Sequence, residues 1–278
     1  MDFSYLGMDD FLRDALNEDI GTGDVTTLCC VPENSTSTGA FKVKEPGVIC
    51  GLSVVKRVFA LLDERVVVTP LVKDGQPVVT GNVIAGVSGP SRSILTGERT
   101  ALNILQHMSG VATRTYEAVH AIAGTGARIV DTRKTTPGLR VLDKYAVRCG
   151  GGFNHRFNLS DGVLIKDNHI AASGGIAAAV DSARAGCPHT LKIEIETETI
   201  DQVREALAAG ADIIMLDNMS LEMMSEAVML INGQALTEAS GNMGERDLKA
   251  VAGTGVDLIS IGALTHSVKA LDISLKFS

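Results

Sequence analysis

The sequence predicts an α/β protein that combines an N-terminal α/β sandwich domain with an incomplete parallel α/β barrel of about six strands. Two patterns along the chain indicate this fold. Residues 36–95 contain short apolar runs between Gly and Pro turns, whereas β-branched runs alternate with helical stretches beyond residue 125. A third observation is compositional: aromatic residues make up 4% of the chain and Trp is absent. Val, Ile, Leu and Ala must therefore build the core, as in parallel sheets covered by helices.

The first elements are predicted from apolar spacing and turn residues. Asp9 is placed to cap a short helix whose apolar face includes Phe11, Leu12 and Leu16, and residues 18–27 are predicted to form a loop. Strands are then expected near residues 41–43, 66–72 and 83–87, with one helix at 52–62.

A long helix is predicted between Glu98 and Ala123, where apolar residues recur with helical spacing, and Ser109-Gly110 could interrupt it. The barrel strands are predicted at 127–131, 163–166, 191–196, 212–217, 234–239 and 257–262, with helices between them, for example at 199–209 and 245–252. We assign residues 1–105, with a returning tail of about 268–278, to the N-terminal domain and residues 106–267 to the barrel.

Charge and cysteine usage exclude several classes of protein. The net charge of −8 argues against binding to nucleic acid or an anionic membrane, since both attract basic surfaces. The five cysteines form no C-x-x-C pair, so a reducing compartment is the simpler interpretation. The acidic N-terminus lacks the features of a signal peptide, and no apolar stretch has the length of a membrane span. A cytoplasmic protein is expected.

Charged residues follow the predicted barrel strands. Because the carboxyl ends of parallel barrel strands open on one face, these side chains should meet in one site. The basic set is Arg133, Lys134, His155, Arg156 and Lys166, and the acidic set is Glu196 and Asp217. Clustered cations suit a ligand with several carboxylates or phosphates, while the acids suit sugar hydroxyls or Mg²⁺ carried by a diphosphate.

Two Gly-rich loops follow the last two strands, at residues 239–242 and 261–263. Backbone N–H groups of such late loops often hold a phosphate in barrel enzymes. Glu194 precedes Glu196 by two residues and points to the same side of its strand, so one of the pair is expected to be structural. We favour Glu196 for the site, since it lies nearer the end of the strand, and we expect His169 to orient a neighbour.

Several segments together resemble the quinolinate phosphoribosyltransferase family, whose members are carboxylating nicotinate-nucleotide diphosphorylases. The resemblance lies in residues 97–103, 131–140, 144–156, 164–169, 216–218 and 262–267, and it extends over nearly the whole chain. It implies phosphoribosyl transfer from 5-phosphoribosyl 1-diphosphate to quinolinate with loss of CO₂, giving nicotinate mononucleotide for NAD biosynthesis. It also implies a homodimer in which Arg99 completes the active site of the neighbouring subunit.

The resemblance further implies a role for each site residue. Four residues, Arg133, His155, Arg156 and Lys166, are expected to hold the two quinolinate carboxylates. Thr132 is expected to bind substrate, and Lys134 to lie between the pyridine and the diphosphate. Glu196 and Asp217 are expected to bind the ribose and Mg²⁺, and Lys134, Lys166, Glu196 and Asp217 form the expected catalytic group. The expected phosphate site consists of Ser240, Gly241, Asn242, Ile261, Gly262 and Ala263, with His266 close by.

Two positions depart from the family pattern. Asn158 and Asn242 stand where relatives often have Gly, and Asn is the non-Gly residue that best tolerates left-handed backbone. Two other functions stay open at this point. A barrel aldolase would use Lys166 or Lys134 as a Schiff base, and a non-catalytic relative would bind a metabolite without converting it.

Overall fold

A computed structural model describes residues 7–278 of the chain. The helices are α1 (Met8–Ile20), α2 (Val25–Cys30), α3 (Leu52–Leu62), α4 (Ser91–Ala121), α5 (Arg140–Cys149), α6 (Asp167–Ser173), α7 (Ile176–Gly186), α8 (Ile200–Ala208), α9 (Leu221–Ile231), α10 (Leu248–Gly253) and α11 (Ala263–His266). The strands are β1 (Thr36–Val43), β2 (Gly47–Val48), β3 (Val67–Pro70), β4 (Pro77–Val78), β5 (Val83–Pro90), β6 (Arg128–Val130), β7 (Val163–Ile165), β8 (Ile193–Thr197), β9 (Ile213–Asp217), β10 (Leu236–Ser240), β11 (Leu258–Ser260) and β12 (Ile273–Phe277).

The chain divides into two compact units, the first of residues 1–116, 137–151 and 268–278 and the second of residues 117–136 and 152–267. These units differ from the domains assigned by sequence in two segments. Residues 106–116 and helix α5 belong to the first unit, whereas the sequence analysis assigned them to the barrel. The domain boundary near residue 105 therefore stays a prediction.

The first unit contains an antiparallel sheet in the order β12-β1-β5-β3 and a separate pair, β2-β4. Strand β1 alternates exposed and buried residues towards its end, and Phe41 of β1 and Phe59 of α3 are both fully buried. The tail returns as β12, whose Leu275 pairs with Phe41. The sandwich predicted for this part of the chain is confirmed.

Two local predictions in this unit are wrong. Helix α1 begins at Met8 after Gly7, so Asp9 lies in its first turn and caps nothing. The predicted loop at 18–27 is mostly helical, because α1 continues to Ile20 and Asp24 caps α2 by accepting the Thr27 N–H at 2.9 Å.

Helix α4 runs through Ser109-Gly110 without the predicted interruption. A Cβ atom at Gly110 would lie 2.2 Å from the Lys269 carbonyl oxygen. The glycine therefore permits close approach of the C-terminal tail, and its role is packing rather than breaking the helix.

The second unit contains six parallel strands in the order β6-β11-β10-β9-β8-β7, which confirms the predicted strands and the incomplete barrel. Strands β6 and β7 are neighbours in sequence but lie at opposite edges of the sheet. In a flat sheet these edges would be about 24 Å apart, given a strand spacing of about 4.8 Å. Thr132 after β6 and Lys166 after β7 nevertheless line one cavity, so the sheet curls.

Between the strands, α8 begins at the Thr199 cap with a reciprocal capping box to Gln202, close to its predicted bounds. Helix α10 begins three residues later than predicted, since Asp247 accepts the N–H groups of Lys249 and Ala250. Among residues 7–278, no helix combines the length and apolar character needed to cross a bilayer.

Candidate active site

A cavity of about 380 Å³, here called the upper cavity, opens at the carboxyl ends of the barrel strands. All of its lining residues belong to the second unit. They are Thr132, Arg133, Lys134, His155, Arg156, Leu164, Lys166, Glu196, Met215, Asp217, Glu238, Ser240 and Ser260. The structure thus brings the predicted cations and the two predicted acids to one place, although the individual roles stay predictions.

The loop after β6 is held at both ends by polar contacts. Asp131 is fully buried, and its carboxylate accepts the backbone N–H of His155 at 2.9 Å and the Asn154 amide at 2.6 Å. Further along, the Thr265 hydroxyl donates to the Lys134 carbonyl at 2.8 Å. These contacts tie the loop that carries Thr132, Arg133 and Lys134 to the segments that carry the other cavity residues.

Arg156 and Arg133 share the upper cavity and repel one another. Burial, followed by the neighbouring Arg133 charge, lowers the pKa of Arg156, while Glu194 partly opposes this effect. Arg156 Nη1 donates to the Gly162 carbonyl at 2.9 Å, but its buried Nε has no hydrogen-bond partner among the described residues. An anion bound between the two guanidinium groups would relieve the repulsion and supply acceptors.

The acidic side of the cavity is formed by β8 and β9. Glu196 forms an ion pair with Lys166, and the Asp217 carboxylate accepts the Asn218 amide at 2.6 Å. Two carboxylates on neighbouring strands are the oxygen ligands that Mg²⁺ prefers, so the residues present fit this ion.

A cluster of His155, Glu194 and Glu238 lies at the floor of the upper cavity. His155 and Glu238 line the cavity, and the two glutamates are buried. His155 Nε2 lies 2.9 Å from Glu194 Oε2 and 3.8 Å from Glu238 Oε2. Its Nδ1 accepts the backbone N–H of Arg156 at 2.7 Å. Because Nδ1 is an acceptor, the imidazole proton must be on Nε2, and His155 is a neutral donor to Glu194. It is not the cation that the sequence pattern indicated.

The predicted phosphate loops flank the upper cavity. Of the residues expected there, Ser240 lines it, while Gly241, Asn242, Ile261, Gly262, Ala263 and His266 lie outside its lining. A Cβ atom at Gly262 would lie 3.1 Å from Lys134 Cδ, so this loop adjoins the cavity wall. Gly241 has φ of +92°, and a Cβ there would meet Asn218 Oδ1 at 2.2 Å.

Of the two unusual asparagines, Asn242 has left-handed backbone with φ of 51°, whereas Asn158 is not among the residues of positive φ. Only the first thus uses the tolerance of Asn for this region. His169 Nδ1 accepts the backbone N–H of Lys166 at 3.0 Å, while its predicted role of orienting a neighbour stays a prediction.

The sequence analysis did not assign four of the lining residues to the site: Leu164, Met215, Glu238 and Ser260. The first three lie two positions before Lys166, Asp217 and Ser240, and Ser260 lies two before Gly262. Side chains two residues apart in a strand point to the same face, so this alternation could have identified them. Glu194 is likewise buried beneath Glu196, as the same alternation indicated.

Arg99 lies in the first unit, on α4, and its side chain is exposed. The structure contains one chain, and the expected role of Arg99 in a neighbouring subunit stays a prediction.

Comparison with known proteins covers almost the whole chain. Residues 111–276 match the family model described as "Quinolinate phosphoribosyl transferase, C-terminal domain", and residues 24–109 match the corresponding N-terminal domain. A "Probable nicotinate-nucleotide pyrophosphorylase [carboxylating]" of Bacillus subtilis is 48% identical over 272 residues, covering 98% of this chain and 94% of that protein. The Mycobacterium leprae nicotinate-nucleotide pyrophosphorylase [carboxylating] is 44% identical over 274 residues, covering 96% and 95%.

Solved structures agree with these matches. The nicotinate-nucleotide pyrophosphorylase of Francisella tularensis has a TM-score of 0.94 at 43% identity, covering 98% of this chain and 96% of that one. The Ehrlichia chaffeensis nicotinate-nucleotide pyrophosphorylase has a TM-score of 0.94 at 39% identity, covering 100% of both chains.

Proposed function

The chain belongs to the quinolinate phosphoribosyl transferase family, and from that premise we propose the reaction that its upper cavity performs. The enzyme transfers a phosphoribosyl group from 5-phosphoribosyl 1-diphosphate to quinolinate and releases diphosphate and CO₂. The product is nicotinate mononucleotide, which serves de novo NAD biosynthesis. The observation that carries this proposal is that Arg133, Lys134, Arg156 and Lys166 line one cavity, where their positive charges can bind the two carboxylates of quinolinate.

Binding and orientation are the first task of these residues. Arg133 and Arg156 hold the two quinolinate carboxylates, because guanidinium groups pair with carboxylates through parallel hydrogen bonds. Ion pairing between Lys166 and Glu196 keeps a cation and a carboxylate where pyridine and ribose meet. The ring nitrogen is then held in line with the anomeric carbon, which converts an encounter into an effectively unimolecular step.

Charge stabilisation is the second task. As diphosphate leaves, positive charge develops at the ribose, where Glu196 and Asp217 stabilise it electrostatically. Mg²⁺, when held by these carboxylates and the diphosphate, would neutralise the charge of the leaving group. The 5′-phosphate is placed against Ser240 and the loops at 241–242 and 261–263, with His266 nearby.

The direct test is to supply quinolinate, phosphoribosyl diphosphate and Mg²⁺ and to measure nicotinate mononucleotide by chromatography. Product is expected with quinolinate and not with a carbonyl substrate. Borohydride trapping of a substrate on Lys166 or Lys134 would instead support the aldolase alternative. Binding of quinolinate without turnover would support the non-catalytic alternative.

A homodimer with a shared active site is the proposed assembly, and it is supported by the exposure of Arg99 on α4. Complementation tests it. Arg99→Ala and Lys134→Ala should each be inactive, but a mixed dimer contains one site with both native residues. Random mixing should therefore restore about a quarter of the native activity. No recovery in mixtures shown to exchange subunits would contradict the shared site.

The partners and location follow from the same chemistry. The small molecules are quinolinate and phosphoribosyl diphosphate, and the net charge of −8 supports the absence of a nucleic-acid partner. The five cysteines are free thiols, which supports a reducing compartment, and we place the enzyme in the cytoplasm.

A further inference from the structure

Glu238 is a buried carboxyl group that the reaction described above does not use. It is 1% exposed, lies on β10 and lines the floor of the upper cavity. Neither of its carboxyl oxygens has a hydrogen-bond partner among the described residues. A buried polar group without a partner is costly, so its presence beside a substrate cavity points to a role with the ligand.

The neighbours of Glu238 decide its protonation. Glu194 on β8 takes the single Nε2 proton of His155 at 2.9 Å, and Glu238 at 3.8 Å is too far to share it. Two carboxylates this close to one another, beside a neutral imidazole, each disfavour the charged form of the other. Glu194 accepts the imidazole proton, whereas the donor that faces Glu238 is the Ser260 hydroxyl, which also lies 3.4 Å from the Ala239 carbonyl. Glu238 is therefore the carboxyl group that holds the proton.

The electrostatics of the floor agree with this assignment. Burial and then the charge of Glu194 raise the pKa of Glu238 to about 8, while His155, the Ser260 hydroxyl on β11 and Lys166 beyond β7 act in the opposite direction. Glu238 is therefore a neutral carboxylic acid at pH 7, able to donate a proton into the cavity.

The proposed reaction requires such a donor. Once the pyridine nitrogen is ribosylated, the bond from ring carbon 2 to its carboxylate breaks and CO₂ leaves. The electron pair stays on carbon 2, next to the positive nitrogen, and must take up one proton. We propose, on the basis of the function proposed above, that Glu238 is the general acid that donates this proton to carbon 2 and becomes a carboxylate.

A second cavity explains how Glu238 regains its proton. This lower cavity, of about 390 Å³, lies near the amino ends of the barrel strands, where Val163, Ile213 and Leu258 line it. Glu238 and His155 line both cavities. Water in the lower cavity can return the proton from the side opposite the substrate, so each turnover restores the acid.

A metal ion at this cluster is the competing interpretation, because His155, Glu194 and Glu238 offer ligand atoms within 4.8 Å of one another. A metal would need the lone pair of His155 Nε2, which would place the imidazole proton on Nδ1. Nδ1 instead accepts the Arg156 N–H at 2.7 Å. The hydrogen bonds therefore favour an acid over a metal ligand.

Single-turnover kinetics of Glu238→Gln test the proposal, because Gln has the same shape but no acidic proton. Diphosphate release and nicotinate mononucleotide formation are measured on the same sample of native dimer. The variant should release diphosphate within about 3-fold of the native rate, yet form nicotinate mononucleotide about 100-fold more slowly, since general acids contribute about 10²–10⁴-fold. Glu238→Asp, which keeps an acid, should recover part of the loss.

The pH profile gives the second readout. The native rate of mononucleotide formation should fall as pH rises through about 8, where Glu238 loses its proton, and the Gln variant should lack this fall. Equal slowing of both products, or a native alkaline limb retained in Glu238→Gln, would overturn the proposal. Failure of the native enzyme to form nicotinate mononucleotide would instead overturn the proposed function, so the two failures are distinct.

Discussion

Each unit contains, among the described residues, a cluster of titratable side chains close enough to share a ligand, and the two clusters differ in whether their polar atoms are satisfied. The cluster of the first unit, here called the thiol cluster, consists of Cys50, Asp74 and Cys149. Its ligand atoms lie within 4.8 Å of one another, as do those of His155, Glu194 and Glu238 in the second unit. Asp74 uses both oxygens, accepting the Leu52 N–H at 3.2 Å and the Tyr145 hydroxyl at 3.0 Å.

Among the described residues, the polar groups around Cys50 have partners, unlike the carboxyl oxygens of Glu238. In the thiol cluster, burial raises the pKa of Cys50 well above its usual range, and the neighbouring Cys149 adds to this effect. Cys50 stays neutral, and its backbone N–H binds the Ser109 hydroxyl at 3.0 Å. A cluster that satisfies its own polar groups stabilises the fold, whereas one that leaves a carboxyl group without a partner beside a cavity is prepared for a ligand.

The largest effect is expected from Arg133→Ala combined with Arg156→Ala. Loss of two charge-assisted pairs should cost about 3–6 kcal/mol of quinolinate binding, a decrease in affinity of about 10²–10⁴-fold. Isothermal titration calorimetry measures this decrease, and Arg65→Ala, at an exposed ion pair of the first unit, is the control. Native affinity in the double variant would show that the upper cavity is not the quinolinate site.

The pH dependence of stability should distinguish the two clusters. Folded Glu238 keeps its proton up to pH about 8, whereas an unfolded Glu loses it near 4.5. The folded state thus binds more protons between these values, and the free energy of unfolding contributed by this group falls as pH rises from about 5 to 8.

Glu238→Gln removes that fall, so the variant should gain on the order of 3 kcal/mol relative to the native protein between pH 5 and pH 8. Urea denaturation across this range measures the gain. Cys50→Ala is the control, because its thiol is neutral throughout and its effect should not vary with pH. A pH-independent difference for Glu238→Gln would show that this group is already ionised in the folded state.

Asp74→Ala should lower stability by about 1–3 kcal/mol, because it leaves the Tyr145 hydroxyl and the Leu52 N–H without their acceptor. Thermal denaturation measures the loss. Asp74→Asn keeps one acceptor oxygen and should lose less. Both variants should keep the native kcat below their melting temperatures, and a selective loss of turnover would assign the thiol cluster a part in catalysis.

The smallest effect is expected at the rim of the upper cavity. Asn242 has φ of 51°, so Asn242→Gly removes a side chain from left-handed backbone and should change the free energy of unfolding by less than about 1 kcal/mol. Asn158→Gly, outside that region, should be destabilising, because it adds freedom to the unfolded chain and removes the Oδ1 that accepts the Ser160 N–H at 2.8 Å and the Ser160 hydroxyl at 2.6 Å. Urea denaturation of both variants measures this difference, which a larger gain for Asn158→Gly would contradict.

Local patterns predicted the barrel strands and helix α3 well, and the helices before residue 31 less well. The six strands were identifiable because β-branched runs recur between helical stretches, and the helix predicted at 199–209 is observed as α8 at Ile200–Ala208. The loop predicted at residues 18–27 was wrong. Its two glycines are typical of a loop, but a short helix capped by Asp24 begins directly after them. Gly110 was judged as an interruption, since its close contact with the tail involves residues distant in sequence.

In the site, too, the sequence identified some residues and left others unidentified. Strand ends identified Arg133, Lys166, Glu196 and Asp217, because every parallel strand of a barrel delivers its last residues to one face. Glu238, at the end of the fifth strand, was not assigned to the site, and His155 was grouped with the cations, since neither sequence position reveals the neighbours.

By itself, the sequence determined the succession of strands and helices and the resemblance to a family. It also determined which charged residues face one cavity, because that depends on periodicity and chain direction. Only the tertiary structure decided which groups are charged. The protonation of Glu238 and the tautomer of His155 depend on burial and on partners that β8, β10 and the loop at residues 154–156 bring together. Hydrogen bonding and desolvation act over a few ångströms of space, and sequence separation does not measure that distance.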